Sequence, residues 1–142
     1  MSIEFHVLSE DRPGAELRYA CALAEQAALQ GRRVYLQTTD PGETQRMDDL
    51  LWTYSDRSFL PHEVHAGAPP AHERVMVMLG EAPAPATHRE LLINLSGAVP
   101  ERPEAYERIV EIVPADQQRK HAARDRYRQY RERGCTLESV NV

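Results

Sequence analysis

The chain has 142 residues, with 17 Lys/Arg against 22 Asp/Glu and a formal net charge of −5. This length suits one compact domain spanning 1–142, and the acidic balance disfavours a general nucleic-acid binder, whose affinity comes mainly from neutralising phosphates. Two cysteines, Cys21 and Cys135, are too few for a disulfide framework, and the start MSIEFHVLSEDRPG has neither the basic flank nor the apolar length of a signal peptide or membrane span. A cytoplasmic protein is expected.

In chain order, IEFHVL (3–8) alternates apolar with polar residues and predicts a strand. GAELRYACALAEQAALQGR is rich in helix formers, with Leu17, Ala20, Cys21, Ala24, Ala27 and Ala28 at helical spacing and Gly31 as a stop. RVYLQTT (33–39) predicts a second strand, completing a β-α-β unit whose crossover should be right-handed. PGETQRMDDLLWTY follows as a helix with Met47, Leu50, Leu51 and Tyr54 on its apolar face and Trp52 to one side. SFLPHEV, RVMVML and LLINL predict further strands, separated by the Pro-rich loops AGAPPAHE and GEAPAPATHRE. A short helix around PEAYERI, the strand IVEIV and the terminal helix DQQRKHAARDRYRQYRER complete the series. Alternating strands and helices favour a three-layer α/β/α fold with a largely parallel central sheet in a single domain.

Chemistry-bearing motifs are absent. The first strand-to-helix turn, SEDRPGAE, has one glycine and two acids where a phosphate cradle would need GxGxxG or GxxxxGK. In PHEVH, His62 and His65 lie three apart on a predicted strand and so point to opposite faces. With no cysteine nearby, scattered surface histidines are expected and no metal site. Ser96 in NLSGA lacks the nucleophile-elbow pattern. No catalytic constellation assembles and no cofactor is implied, so the expected function is binding rather than catalysis.

The charge is unevenly placed. Ala115–Gly134 carries seven Lys/Arg against three Asp/Glu, a local net of +4, which leaves −9 for the rest. Asp116 is positioned as the N-cap of the terminal helix and Gly134 as the residue beyond its end. At 100° per residue Lys120, Arg124, Arg128 and Arg131 fall within about 80° of arc, beside a seam of Ala123, Tyr127 and Tyr130. Arg126 and Arg133 lie on other faces and read as solvated charge. Stacked cations repel one another, so a stripe of four reads either as a surface kept for an anionic partner or as a solvated face whose late cations complement the helix dipole. A cationic strip beside a Tyr/Ala seam suits an acidic peptide with an apolar or aromatic end better than a duplex; the alternative is direct nucleic-acid binding by the same helix.

The run VPADQQRKHAARDRYRQYRERG resembles the C-terminal segment of the chi subunit of bacterial DNA polymerase III. The same family's pattern is met in order by FHVL, GRRVYLQTTD, MDDLLWTYSDRSFLPHEV and ELLINLSGAVP, so the resemblance covers nearly the whole chain. It implies a non-catalytic accessory subunit of the clamp-loader complex that binds the acidic C-terminal tail of single-stranded DNA-binding protein, which ends in Pro-Phe. Carried over residue by residue, Lys120, Arg124, Arg128 and Arg131 would meet the tail's acids and terminal carboxylate, and Tyr127 and Val113 would line the pocket for its aromatic end. A second surface, with Trp52, Phe59, Leu60 and Pro61, would bind the psi subunit or a helicase-like protein at the same place. DNA would be met only indirectly.

Overall fold

The computed structural model describes residues 2–54, 60–68 and 70–142. Its strands are β1 (Ser2–Val7), β2 (Val34–Gln37), β3 (His62–Val64), β4 (Val77–Gly80), β5 (Leu91–Asn94), β6 (Arg108–Val113) and β7 (Leu137–Asn141). The helices are α1 (Ala15–Leu29), α2 (Pro41–Thr53) and α3 (Gln117–Glu132). All strands pair in parallel in one sheet of order β3-β4-β2-β5-β6-β1-β7.

The layering follows from the direction of the connections. From β1 to β2 the chain steps one way along the sheet, and from β6 to β7 it steps the other. Right-handed crossovers therefore place α1 and α3 on opposite faces. On one face α1 and α2 pack over Val34, Leu36, Leu79, Ile93 and Val110; on the other α3 packs over Ile3, Phe5, Ile109 and Val113. The three-layer α/β/α expectation is met, with a sheet that is wholly parallel among the described residues. Covered on both sides, the central strands VYLQ, VMLG and LLIN are buried almost throughout, as uninterrupted apolar runs in a parallel sheet should be.

Small residues let α1 lie close to the sheet. Ala20, Cys21, Ala24 and Ala27 are its buried face, and burial pushes the Cys21 thiol up to about 12. α2 opens on two caps: the N-cap Asp40 carboxylate accepts from the Glu43 N–H at 2.8 Å, and Glu43 accepts from the N–H of Thr39, the residue before the N-cap, at 3.1 Å. Its buried residues are Thr44, Met47 and Leu51, whereas Tyr54, assigned to the apolar face from sequence, is exposed.

Other expectations also change. RVMVML forms strand only from Val77, where β2 and β3 offer ladder partners. The segment PEAYERI gives only a 3₁₀ turn, Pro103–Ala105. β7 had no counterpart in the sequence reading at all.

Candidate recognition pocket at the α3 edge

α3 runs back along the sheet from the C-terminal end of β6. Its N-cap is Asp116, whose carboxylate accepts from the Arg119 N–H at 2.9 Å, and beyond its C-terminus Gly134 adopts φ 81, a left-handed conformation that favours glycine. Both ends lie where the sequence puts them. Arg119 also reaches Glu16 of α1 at 2.9 Å and so ties the first turn of α3 to the opposite layer.

The helix is fixed to the sheet by a buried charge. Glu111, in the middle of β6 and fully buried, accepts from Arg126 Nε at 3.0 Å, from the Tyr130 hydroxyl at 2.6 Å and from Asn94 Nδ2 at 2.6 Å. Burial pushes the Glu111 carboxyl up from its usual range, against the pull of Arg126 and the hydroxyl and amide donors. Arg126 is therefore not solvated charge, as its place on the helix had suggested. It is buried at 8% exposure because its partner comes from another element. Arg133 stays exposed and donates to the carbonyls of Pro100 and Glu101.

Beside this anchor, α3 and the edge of the sheet enclose a pocket of about 300 Å³ lined by Phe5, Val7, Val113, Lys120, Ala123, Arg124, Tyr127 and Ser139. Five residues singled out from sequence, Val113, Lys120, Ala123, Arg124 and Tyr127, meet here. Phe5 stands edge-on to Tyr127 at 5.2 Å between ring centroids and to Tyr130 at 5.9 Å, giving the pocket an aromatic wall. Arg124 is exposed at its mouth and Lys120 is half-buried. Arg128 and Arg131 lie outside the lining. Arg128 pairs with Asp125, and the Arg131 guanidinium sits 5.9 Å from the Tyr127 ring centroid, within cation–π range.

Sequence reasoning missed Phe5, Val7 and Ser139 as pocket residues. Phe5 and Val7 were legible only as one face of a strand, and Ser139 belongs to the unforeseen β7.

At the opposite edge of the sheet, Trp52 in the last turn of α2 is 54% exposed, although a tryptophan is more often buried in a core. Its ring lies 4.5 Å from that of His62. The His62 side chain is 1% exposed, with Nδ1 2.7 Å from the Leu60 carbonyl and Nε2 3.1 Å from Asp48 Oδ1, so it is not a surface histidine. The Leu60 carbonyl, two residues before it, and the Asp48 carboxylate of α2 flank the ring. Leu60 and Pro61 are half-buried beside it, and Phe59 lies outside the described residues. Six inter-strand steps, roughly 29 Å, separate β3 from β7, so the two surfaces lie toward opposite edges of the sheet.

Among the described residues no group of three His, Cys, Asp or Glu could hold a metal ion, and no helix is long and apolar enough to cross a membrane. At the turn after β1, Glu10 is paired with Arg12 at 2.9 Å.

Fold and pocket together define a small parallel α/β protein with a cationic, aromatic-walled pocket at one sheet edge, a candidate recognition site. Comparison with known proteins narrows this class. The chain belongs to the DNA polymerase III chi subunit family: the family model described as "DNA polymerase III chi subunit, HolC" matches residues 1–138. A DNA polymerase III subunit chi from Pseudomonas aeruginosa is 37% identical over 139 residues, covering 96% of this chain and 93% of that protein. Those of Haemophilus influenzae and Escherichia coli are 29% and 27% identical, covering 98% and 96% of this chain and 96% and 95% of their own lengths. The crystal structure of T4 UvsW superposes with a TM-score of 0.63 at 10% identity over 99% of this chain and 41% of that one, a likeness of fold alone.

Proposed function

We propose that this chain is a non-catalytic, cytoplasmic linker within the polymerase III clamp-loader assembly. Through the α3 pocket it binds the acidic C-terminal tail of single-stranded DNA-binding protein, and through the Trp52 surface it docks the psi subunit. The observation that carries this reading is the pocket itself. A 300 Å³ recess with an aromatic wall and Lys120 and Arg124 at its mouth matches a short acidic segment ending in an aromatic residue. Lys120 and Arg124 meet the acids, Phe5, Val113 and Tyr127 receive the ring, and Arg128 and Arg131 extend the positive field along the helix. At the other edge the exposed indole of Trp52, with Leu60 and Pro61, offers the psi subunit an apolar anchor of the type that dominates protein interfaces.

A disordered tail loses its own conformational freedom on binding, so micromolar affinity is the expected order of magnitude. Calorimetric titration with a ten-residue acidic peptide ending in Pro-Phe tests the assignment. Arg124→Glu should abolish binding without moving the melting temperature, and unchanged affinity would refute the site. Tight, steeply salt-dependent binding of bare oligonucleotide would instead make α3 a nucleic-acid surface.

A further inference from the structure

β7 forms one margin of the sheet, and β1 is its ladder partner among the described residues. The Val142 N–H donates to the Val7 carbonyl at 3.0 Å. In a parallel ladder alternate residues bond to the neighbour, so Glu138, Val140 and Val142 turn their main-chain groups toward β1, and Leu137, Ser139 and Asn141 turn theirs outward.

Ser139 therefore has two aspects. Its side chain lines the α3 pocket, and its peptide N–H and C=O face the open margin next to Lys120 and Arg124. Exposed strand margins are usually blunted by lysine, proline or a bulge. LESVN contains neither lysine nor proline, and its one charge, Glu138, lies by alternation on the face away from the pocket. An extended acidic segment thus meets paired donors and acceptors, then cations, then an apolar recess, all at one edge of the sheet.

We propose that the acidic tail is held by strand addition. Its main chain pairs with the outward groups of Ser139 and its neighbours on β7, its acids meet Lys120 and Arg124, and its apolar end enters the pocket. This rests on the tail-binding reading above and adds the mode of recognition. Main-chain pairing supplies affinity that does not depend on side-chain identity, and the cations and pocket supply the selection.

The test uses the acidic decapeptide ending in Pro-Phe and a set of its analogues, each N-methylated at a single main-chain amide, titrated into the unmodified protein by calorimetry. Strand addition predicts a period of two: methylation at every second position weakens binding about fivefold or more, and methylation between them leaves it unchanged. Ser139→Pro removes one outward donor at a margin position where proline is compatible with a strand, and should weaken the parent peptide by a similar factor. Ser139→Ala keeps the donor and should bind more tightly than Ser139→Pro does. If every methylated peptide binds like the parent, strand addition is overturned while tail binding stands; if the parent itself does not bind, the tail-binding reading fails. A concentration-dependent dimer that Ser139→Pro dissolves would assign the margin to a second copy of the chain and overturn the proposal.

Discussion

Two arginines two positions apart in the sequence of α3 have opposite roles. Arg124 is exposed at the pocket mouth, whereas Arg126 is buried against Glu111. Removing one partner of a buried ion pair leaves an uncompensated charge, so Arg126→Ala should cost about 3–5 kcal/mol in urea denaturation, while Arg124→Ala should stay within about 0.5 kcal/mol. Helical period alone makes the stripe of Lys120, Arg124, Arg128 and Arg131 legible from sequence, because it depends only on residues of one helix. The role of Arg126 depends on β6, and the one available sign was an acid placed between apolar neighbours in IVEIV. A carboxylate that deep in a parallel strand requires a cation from another element. Trp52 was as legible as the stripe: helical spacing puts it to one side of the apolar face of α2, and more than half of it lies in solvent.

At the scale of elements, the orientation of α3 decides whether its cations reach the pocket. Asp116 fixes the first turn by accepting from the Arg119 N–H and bonding Arg119 Nε at 2.5 Å, and Arg119 continues to Glu16. Asp116→Ala should lower stability by about 1 kcal/mol, read as a shift in thermal midpoint. The same change removes a negative charge from the approach of an acidic ligand. Peptide affinity that falls despite this would mean that the first turn positions Lys120. The helices and central strands could be anticipated because caps, alanine spacing and apolar runs act locally. β7 could not, since LESVN has only a weak apolar pattern and becomes a strand through pairing with β1. Ser139 was lost with it.

For the molecule as a whole, β1 and β6 are stapled across the sheet by charge. Arg108 donates to Glu4 at 2.7 and 2.9 Å, and His6 approaches the same carboxylate at 3.0 Å. The Arg108 contacts, opposed by burial and reinforced by His6, hold the Glu4 carboxyl down at about 2. With the unfolded value near 4.5, the staple contributes fully above that pH and is lost as the pH falls from about 4.5 to about 2. Because Arg108 is partly exposed, solvent screening limits the contribution to about 1 kcal/mol. Urea midpoints measured between pH 6 and pH 3, in steps of about half a unit, should fall more steeply for the unmodified protein than for Glu4→Gln.

The order of strands along the sheet also has a consequence for biosynthesis. β1 emerges from the ribosome before the other described strands, yet its two neighbours, β6 and β7, begin at Arg108 and Leu137. At about 5–20 residues per second, β1 must wait on the order of 5–20 s unpaired, while the β3-β4-β2-β5 half of the sheet can already assemble. The half that carries the pocket is thus the last to form. A translational stall before β6 would leave a nascent chain with an open strand slot at β5 and an apolar first strand free to enter other proteins' sheets.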